Sequence, residues 1–188
     1  MAVSETRLDS LRPVTLYYYG ERMAIERAQR LGEFRLRPNS IDDTLSSLSP
    51  ARTILPFRAQ ETAVVGGFLT MSLSTVWDEN LSLIAPEITH CLVINNSEQF
   101  GERVHRAVQK ILPQWAGIDA AIAYGKPSPL GAVFTKAAHF AAQKEWLFAW
   151  RPIHLSLPLQ PIVVQIGCID TLSAVRTLVP AVTNHTAL

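Results

Sequence analysis

Residues 143–145, Gln-Lys-Glu, set polar groups among aromatic bulk, with Phe140 before them and Trp146 and Phe148 after. A carboxylate beside aromatic rings is partly desolvated, which perturbs its protonation and strengthens its electrostatic effect. In an extended strand Gln143 and Glu145 share one face and Lys144 takes the other. In a helix they stand about 200° apart and the pairing carries no meaning. Ala-Ala-Gln-Lys-Glu is good helix-forming sequence, so a helix leading into a 146–150 strand competes with the strand reading. A second polar set lies at 70–75, Thr-Met-Ser-Leu-Ser-Thr. As a strand it points Ser72 and Ser74 to one face and Met71 and Leu73 to the core. Two hydroxyls there can hold a ligand or fix a carboxylate. The competing reading is an ordinary solvent face of a sheet.

Other catalytic signatures are absent. The chain has no GxSxG, GxxxxGK[ST], GxGxxG or HExxH. Its five histidines are scattered, and His90 and His139 read as structural. Cys91 and Cys168 each lie in an apolar run and read as buried, reduced thiols. No Cys/His spacing suits a metal, so none is expected.

A core must position these residues, and the composition provides for one. The 188 residues are 48% hydrophobic and 18% charged, which excludes disorder and suits one domain. Seventeen basic and sixteen acidic residues leave a net charge of +1, so nothing in the balance demands a nucleic acid or an anionic membrane. No stretch approaches the roughly 18 apolar residues of a spanning helix, and the N-terminus shows no secretory signal. The chain therefore reads as cytoplasmic, with no membrane partner. Three N-x-S/T triplets, at Asn80, Asn95 and Asn184, then carry no weight. The composition does not specify an oligomeric state.

Residues 1–13 read as a flexible arm and 14–188 as a single α+β domain. Strands are expected at 15–19, 34–37, 66–74, 90–95, 120–124 and 161–169. A helix is expected over 21–31, with Ala24, Ala28 and Leu31 as its apolar stripe and Gly32 as its stop. A second follows a cap at Asn96 or Ser97, with Phe100, Val104, Ala107, Val108, Ile111 and Leu112 on one face. Polar loops are expected at 39–58, with a short helix over 41–48, and at 79–89. Asp170 heads a short final helix carrying Leu172, Val175 and Leu178. The irregular alternation predicts a mixed, largely antiparallel sheet rather than a doubly wound one. Arg22, Arg27, Arg30, Arg35 and Arg37 form a candidate basic strip for nucleic acid. Interspersed Glu21, Glu26 and Glu33 fit an amphipathic helix with pairs such as Glu26–Arg30 better.

Taken in order, Tyr17-Tyr18-Tyr19, Ser72-Leu73-Ser74 and Gln143-Lys144-Glu145 resemble the ADP-ribosyltransferase superfamily. Its members carry a first-strand residue, a Ser-Thr-Ser-like strand, and a late strand with Gln or Glu two places before Glu. The tyrosines stand where the best-known transferases have Arg or His. The chain is also similar to an uncharacterised bacterial and phage family, through Leu16 to Tyr19, the run 31–38, Tyr124, Phe134-Thr135-Lys136, Gln143 to Trp146 and the run 162–167.

The resemblance implies a bent, split antiparallel β core with flanking helices that grips NAD⁺ as substrate. It implies transfer of ADP-ribose, or NAD⁺ hydrolysis, by a bacterial or phage effector or defence protein. The acceptor would be a protein or nucleic acid. Glu145 would stabilise positive charge on the ribose, Gln143 would orient the acceptor, and Ser72 and Ser74 would position the nicotinamide ribose and Glu145. Tyr17 or Tyr19 would stack or hydrogen-bond on NAD⁺, and Lys136 would meet the pyrophosphate. The alternative is a non-catalytic interaction protein, of immunity or inhibitor type, on a degenerate form of the same fold.

Overall fold

The computed structural model describes residues 11–39, 67–79, 85–154 and 159–178. The expected 41–48 helix, Asn80 and Asn184 lie outside these residues, as does most of the 39–58 loop. Among the described residues the architecture is α+β, with a large, mostly antiparallel sheet.

The first strand, β1 (Leu16–Gly20), leads into helix α1 (Arg22–Leu31). Gly32 ends the helix in the left-handed conformation at φ 63°, which glycine adopts without Cβ strain. The buried stripe of α1 is Ile25 and Ala28, whereas Ala24 and Leu31 are exposed. The expected stripe is therefore rotated. Glu26 pairs with Arg22 rather than Arg30, at 2.7 Å.

Strand β2 (Glu33–Asn39) buries Phe34 and Leu36 and exposes Arg35 and Arg37. Strand β3 (Phe68–Ser74) buries Leu69, Met71 and Leu73 and turns Ser72 and Ser74 to the other face, as its period of two requires. Strand β4 (His90–Ile94) precedes helix α2 (Ser97–Ile111). The Asn96 side chain caps α2 by accepting from Gln99 N at 3.0 Å. Phe100, Val104 and Val108 enter the core, while Ile111 stays half exposed.

The chain continues through β5 (Trp115–Ala121), β6 (Ala123–Tyr124), β7 (Thr135–Lys136), β8 (Glu145–Pro152), β9 (Ile162–Gln165) and β10 (Ser173–Thr177). The last is a correction: the residues expected to form a final helix, Leu172 to Leu178, hold a strand instead. Residues 173–177 pair antiparallel with β4 from Ser173↔Ile94 to Thr177↔His90. Five ladder positions along an open sheet edge outweigh a weak three-residue spacing of apolar side chains. Cys91 is buried, but Cys168 is exposed, because β9 ends at Gln165 and Gly167 (φ 79°) turns the chain outward.

The sheet divides at β3. One edge of β3 is covered by β8 from Leu69↔Trp150 to Ser74↔Glu145. The other edge meets β2 at residues 68–70 and β1 at the single pair Tyr17↔Ser74. Residues 71–73 have no partner strand on that edge among the described residues. β1, β4 and β10 therefore diverge from β2 and β9, and a cleft opens between them. Trp146, Phe148 and Trp150 of β8 join Phe34 and Phe100 in the main core on the inner face. The residues singled out from sequence lie on the outer face.

At Arg12 the expected arm is held to the domain. Its guanidinium makes two bonds to the Asp119 carboxylate, at 2.8 and 2.6 Å. His105 Nε2 (2.8 Å) and Trp146 Nε1 (2.7 Å) also contact that carboxylate. Burial disfavours ionisation of Asp119, but the bonds to His105, Arg12 and Trp146 outweigh it and hold the carboxyl down at about 2. This network fixes Trp146, the residue after Glu145.

Candidate active site

Glu145 is the first residue of β8, and its surroundings are assembled from three other strands. The register Tyr17↔Ser74 and Ser74↔Glu145 places these three residues in one row across β1, β3 and β8. Ser72 Oγ, two residues back on β3, donates to Glu145 Oε1 at 2.6 Å. Lys136 Nζ lies 2.6 Å from Glu145 Oε2. Tyr124 OH donates to Oε2 at 3.2 Å and accepts from the Glu145 backbone N–H at 2.9 Å. The short parallel pair β6–β7, with Tyr124↔Lys136 in register, brings the last two groups to one place.

The Glu145 side chain is 13% exposed. Burial pushes the Tyr124 phenol up to about 12, and the nearby carboxylate adds to that shift. Tyr124 is therefore a neutral donor across the physiological range.

Gln143 and Glu145 do not share a strand face. Residues 138–143 form a 3₁₀ helix, and Lys144 follows in the left-handed conformation at φ 46°, ψ 54°. Both readings of the segment were half right: a helix ends at 143 and a strand starts at 145. The two side chains still converge, because Lys136 Nζ also reaches Gln143 Oε1 at 3.4 Å. The unusual Lys144 backbone is held by the residue just after β3, with Thr75 N and Thr75 Oγ1 both donating to its carbonyl, at 2.8 and 2.9 Å.

Ser74 bonds to backbone rather than to Glu145. Its hydroxyl lies 3.0 Å from the Val76 carbonyl and 3.2 Å from that of Gln143. Tyr17 and Tyr19 both pack on Trp77, with ring centroids 6.1 and 6.2 Å apart. Tyr19 OH donates to Val76 O at 3.1 Å and accepts from Asp78 N at 2.6 Å. Burial raises the Tyr19 phenol well above its ordinary value.

These groups surround a pocket of about 210 Å³ lined by Tyr17, Tyr19, Ser72, Ser74, Gln143 and Glu145 among others. A cavity of about 570 Å³ adjoins it through the shared Tyr18 and Tyr19. Arg35 and Arg37 of β2 line that cavity, and Arg37 shares a sheet face with Thr70 by register. Arg27, also there, is neutralised by Glu33 at 2.6 Å.

Every residue chosen from the sequence except Lys136 lines the pocket, and Lys136 touches Glu145 from its rim. Tyr124 was not chosen for the site, nor were Arg35 and Arg37. The alternation Phe34-Arg35-Leu36-Arg37 was the signal available for the arginines. His90 and His139 lie elsewhere: His90 bonds to Thr89 and Thr177, and the His139 ring packs at a tilt against Phe140. Among the described residues no group of three or more His, Cys, Asp or Glu is placed to hold a metal ion. No helix among them is long and apolar enough to cross a membrane. Comparison with protein-family models, with curated proteins and with solved structures returned no match.

Proposed function

We propose that this protein cleaves NAD⁺ at the nicotinamide ribose and transfers ADP-ribose to a macromolecular acceptor. One observation carries the reading. A low-exposure carboxylate, Glu145, is oriented by Ser72, Tyr124 and Lys136 at the wall of a cleft in a split sheet. In this reaction the C1′–N bond breaks, its electron pair neutralises the pyridinium nitrogen, and positive charge develops on the ribose. A fixed carboxylate stabilises that charge without reorganising. The acceptor's nucleophilic atom then bonds to C1′ and loses its proton to solvent, while the Gln143 amide orients it by hydrogen bonding.

The rest of the site supports the same reading. Tyr17 and Tyr19 offer rings to a flat heterocycle, and Tyr17 offers its hydroxyl as well. The β3 edge at 71–73, without a partner strand among the described residues, offers backbone groups that a carboxamide can pair with. Arg35 and Arg37 in the adjoining cavity suit the diphosphate. The acceptor is a protein or nucleic acid in the cytoplasm, and the role that of a bacterial or phage effector or defence protein.

A second reading is favoured by one feature. The Glu145 carboxylate is already satisfied by three side chains, as in a structural ion-pair network of a non-catalytic immunity or inhibitor protein. Melting with and without NAD⁺ separates the two. Ligand at about 100 times its dissociation constant stabilises by about 2.7 kcal/mol. The catalytic reading expects that shift, and it expects release of nicotinamide that Glu145→Gln lowers by at least about a hundredfold. Equal turnover by wild type and variant would sink it.

A further inference from the structure

The charge pattern of helix α2 is not used by the site around Glu145. Arg103, Arg106 and Lys110 recur on one side of the helix and line a groove of about 580 Å³ against β9 and the turn after it. That groove shares no residue with the Glu145 pocket. Among the described residues, no Asp or Glu lines it. Three other arginines are paired with carboxylates: Arg12 with Asp119, Arg22 with Glu26, Arg27 with Glu33. Arg106 and Lys110 have no ion-pair partner among the described residues, and Arg103 bonds only to the Cys168 carbonyl at 3.0 Å. A local excess of about three positive charges on a chain of net charge +1 is a concentrated field.

The opposite wall supplies a second property. β9 is the end strand of its branch and pairs with β2 alone among the described residues. Its other edge therefore presents backbone N–H and C=O groups without a strand partner. Val163 on this strand is 50% exposed and Ile111 across the groove is 51% exposed. Arg103 to Lys110 spans about 10 Å along the helix axis, at about 1.5 Å per residue. An extended chain covers that span in about three residues.

We infer that this groove is a docking site for an extended acidic segment of a partner protein. The segment adds to the sheet at the β9 edge, alternate carboxylates meet the α2 cations, and intervening aliphatic side chains cover Ile111 and Val163. Strand addition of this kind draws affinity from main-chain bonds and specificity from alternate side chains. A single-stranded nucleic acid fits less well, because among the described residues no aromatic side chain lines the groove to stack a base. The inference does not depend on any activity at Glu145, and its test reads no turnover.

The probes are a labelled short peptide of alternating Glu and Val, its Lys/Val counterpart, and oligothymidylate of equal charge. Fluorescence polarisation reports binding, and backbone amide exchange reports on residues 162–165. The Glu/Val peptide is expected to bind saturably and more weakly at high salt, to slow exchange in β9, and to lose at least about tenfold affinity to R106E/K110E. Both positions are exposed, so an unchanged urea midpoint checks that the variant folds. The inference is overturned if the acidic peptide does not bind saturably, if oligothymidylate binds as well or better, or if β9 exchange is unchanged on binding.

Discussion

Replacing Asp119 with alanine should destabilise the domain by about 3–5 kcal/mol, as expected for breaking a buried charged pair from one side. The structure supplies the terms. The Asp119 side chain is 7% exposed and the Arg12 side chain 15%. Without Asp119 the guanidinium keeps only the exposed Glu98 carboxylate at 2.9 Å and two carbonyls. Trp146, 3% exposed, loses the acceptor for its indole N–H, and an orphaned buried donor costs about 1–3 kcal/mol. His105 is 27% exposed and can turn to water. Arg12→Ala should cost less, because the carboxylate keeps His105 and Trp146, and the double variant should cost less than the sum of the two. Urea unfolding at neutral pH measures all three, with the slope unchanged.

Acid titration gives the same prediction an independent arm. The Asp119 carboxyl titrates near 3.8 when unfolded and about 2 when folded. Its folded pKa is depressed, so its stabilisation is present above about pH 4 and lost as pH falls toward 2. That is about 2 kcal/mol of acid-sensitive stability, which Asp119→Ala should remove. A midpoint shift worth under about 1 kcal/mol, or an identical acid slope in the variant, would refute the network as a stabilising unit.

Three further outcomes follow from particular contacts. Ser72→Ala and Tyr124→Phe should each lower NAD⁺ turnover about tenfold to a hundredfold by loosening Glu145, with the melting temperature little changed; unchanged turnover would remove them from the site. In the native protein at pH 8, Ellman's reagent should titrate Cys168 alone, because burial pushes the Cys91 thiol up to about 12; two equally fast thiols would contradict the buried β4. Gly32→Ala should cost more than about 2 kcal/mol, since φ 63° disfavours a side chain and the new Cβ would strike the Gly167 carbonyl oxygen; an unchanged urea midpoint would disprove that close approach.

Elements carried by local signals were legible in the sequence. β2 and β3 alternate with period two, Gly32 stops α1, and Asn96 and Pro113 bracket α2. What long-range pairing decides was not legible. β10 reads as a helix until β4 offers it an open edge. The left-handed Lys144 has no glycine to announce it and is held by Thr75, far away in sequence. Asp119 meets Arg12, His105 and Trp146 across separations of 107, 14 and 27 residues. Tyr124 and Lys136 become neighbours of Glu145 only through a parallel pair of two-residue strands.

Most residues picked by type line one pocket, yet the sequence argument for Gln143 and Glu145 rested on the wrong geometry. Their convergence comes from Lys136, not from strand alternation. That changes what ligand entry requires on the proposed reading. Glu145 Oε2 already accepts from both Lys136 and Tyr124, so a ribose hydroxyl that bonds there displaces one of them, whereas Oε1 accepts from Ser72 alone. Lys136 is the more exposed end of its ion pair, 29% against 13% for Glu145, and it belongs to a flexible side chain. A diphosphate arriving with the same ligand offers the released ammonium a new anion. One charged pair is then exchanged for another, and no buried cation is left unpaired. On the proposed reading, Lys136 satisfies the carboxylate before the ligand enters and then passes to the pyrophosphate, while Ser72 and the Tyr124 bond to the Glu145 backbone keep the carboxylate in place.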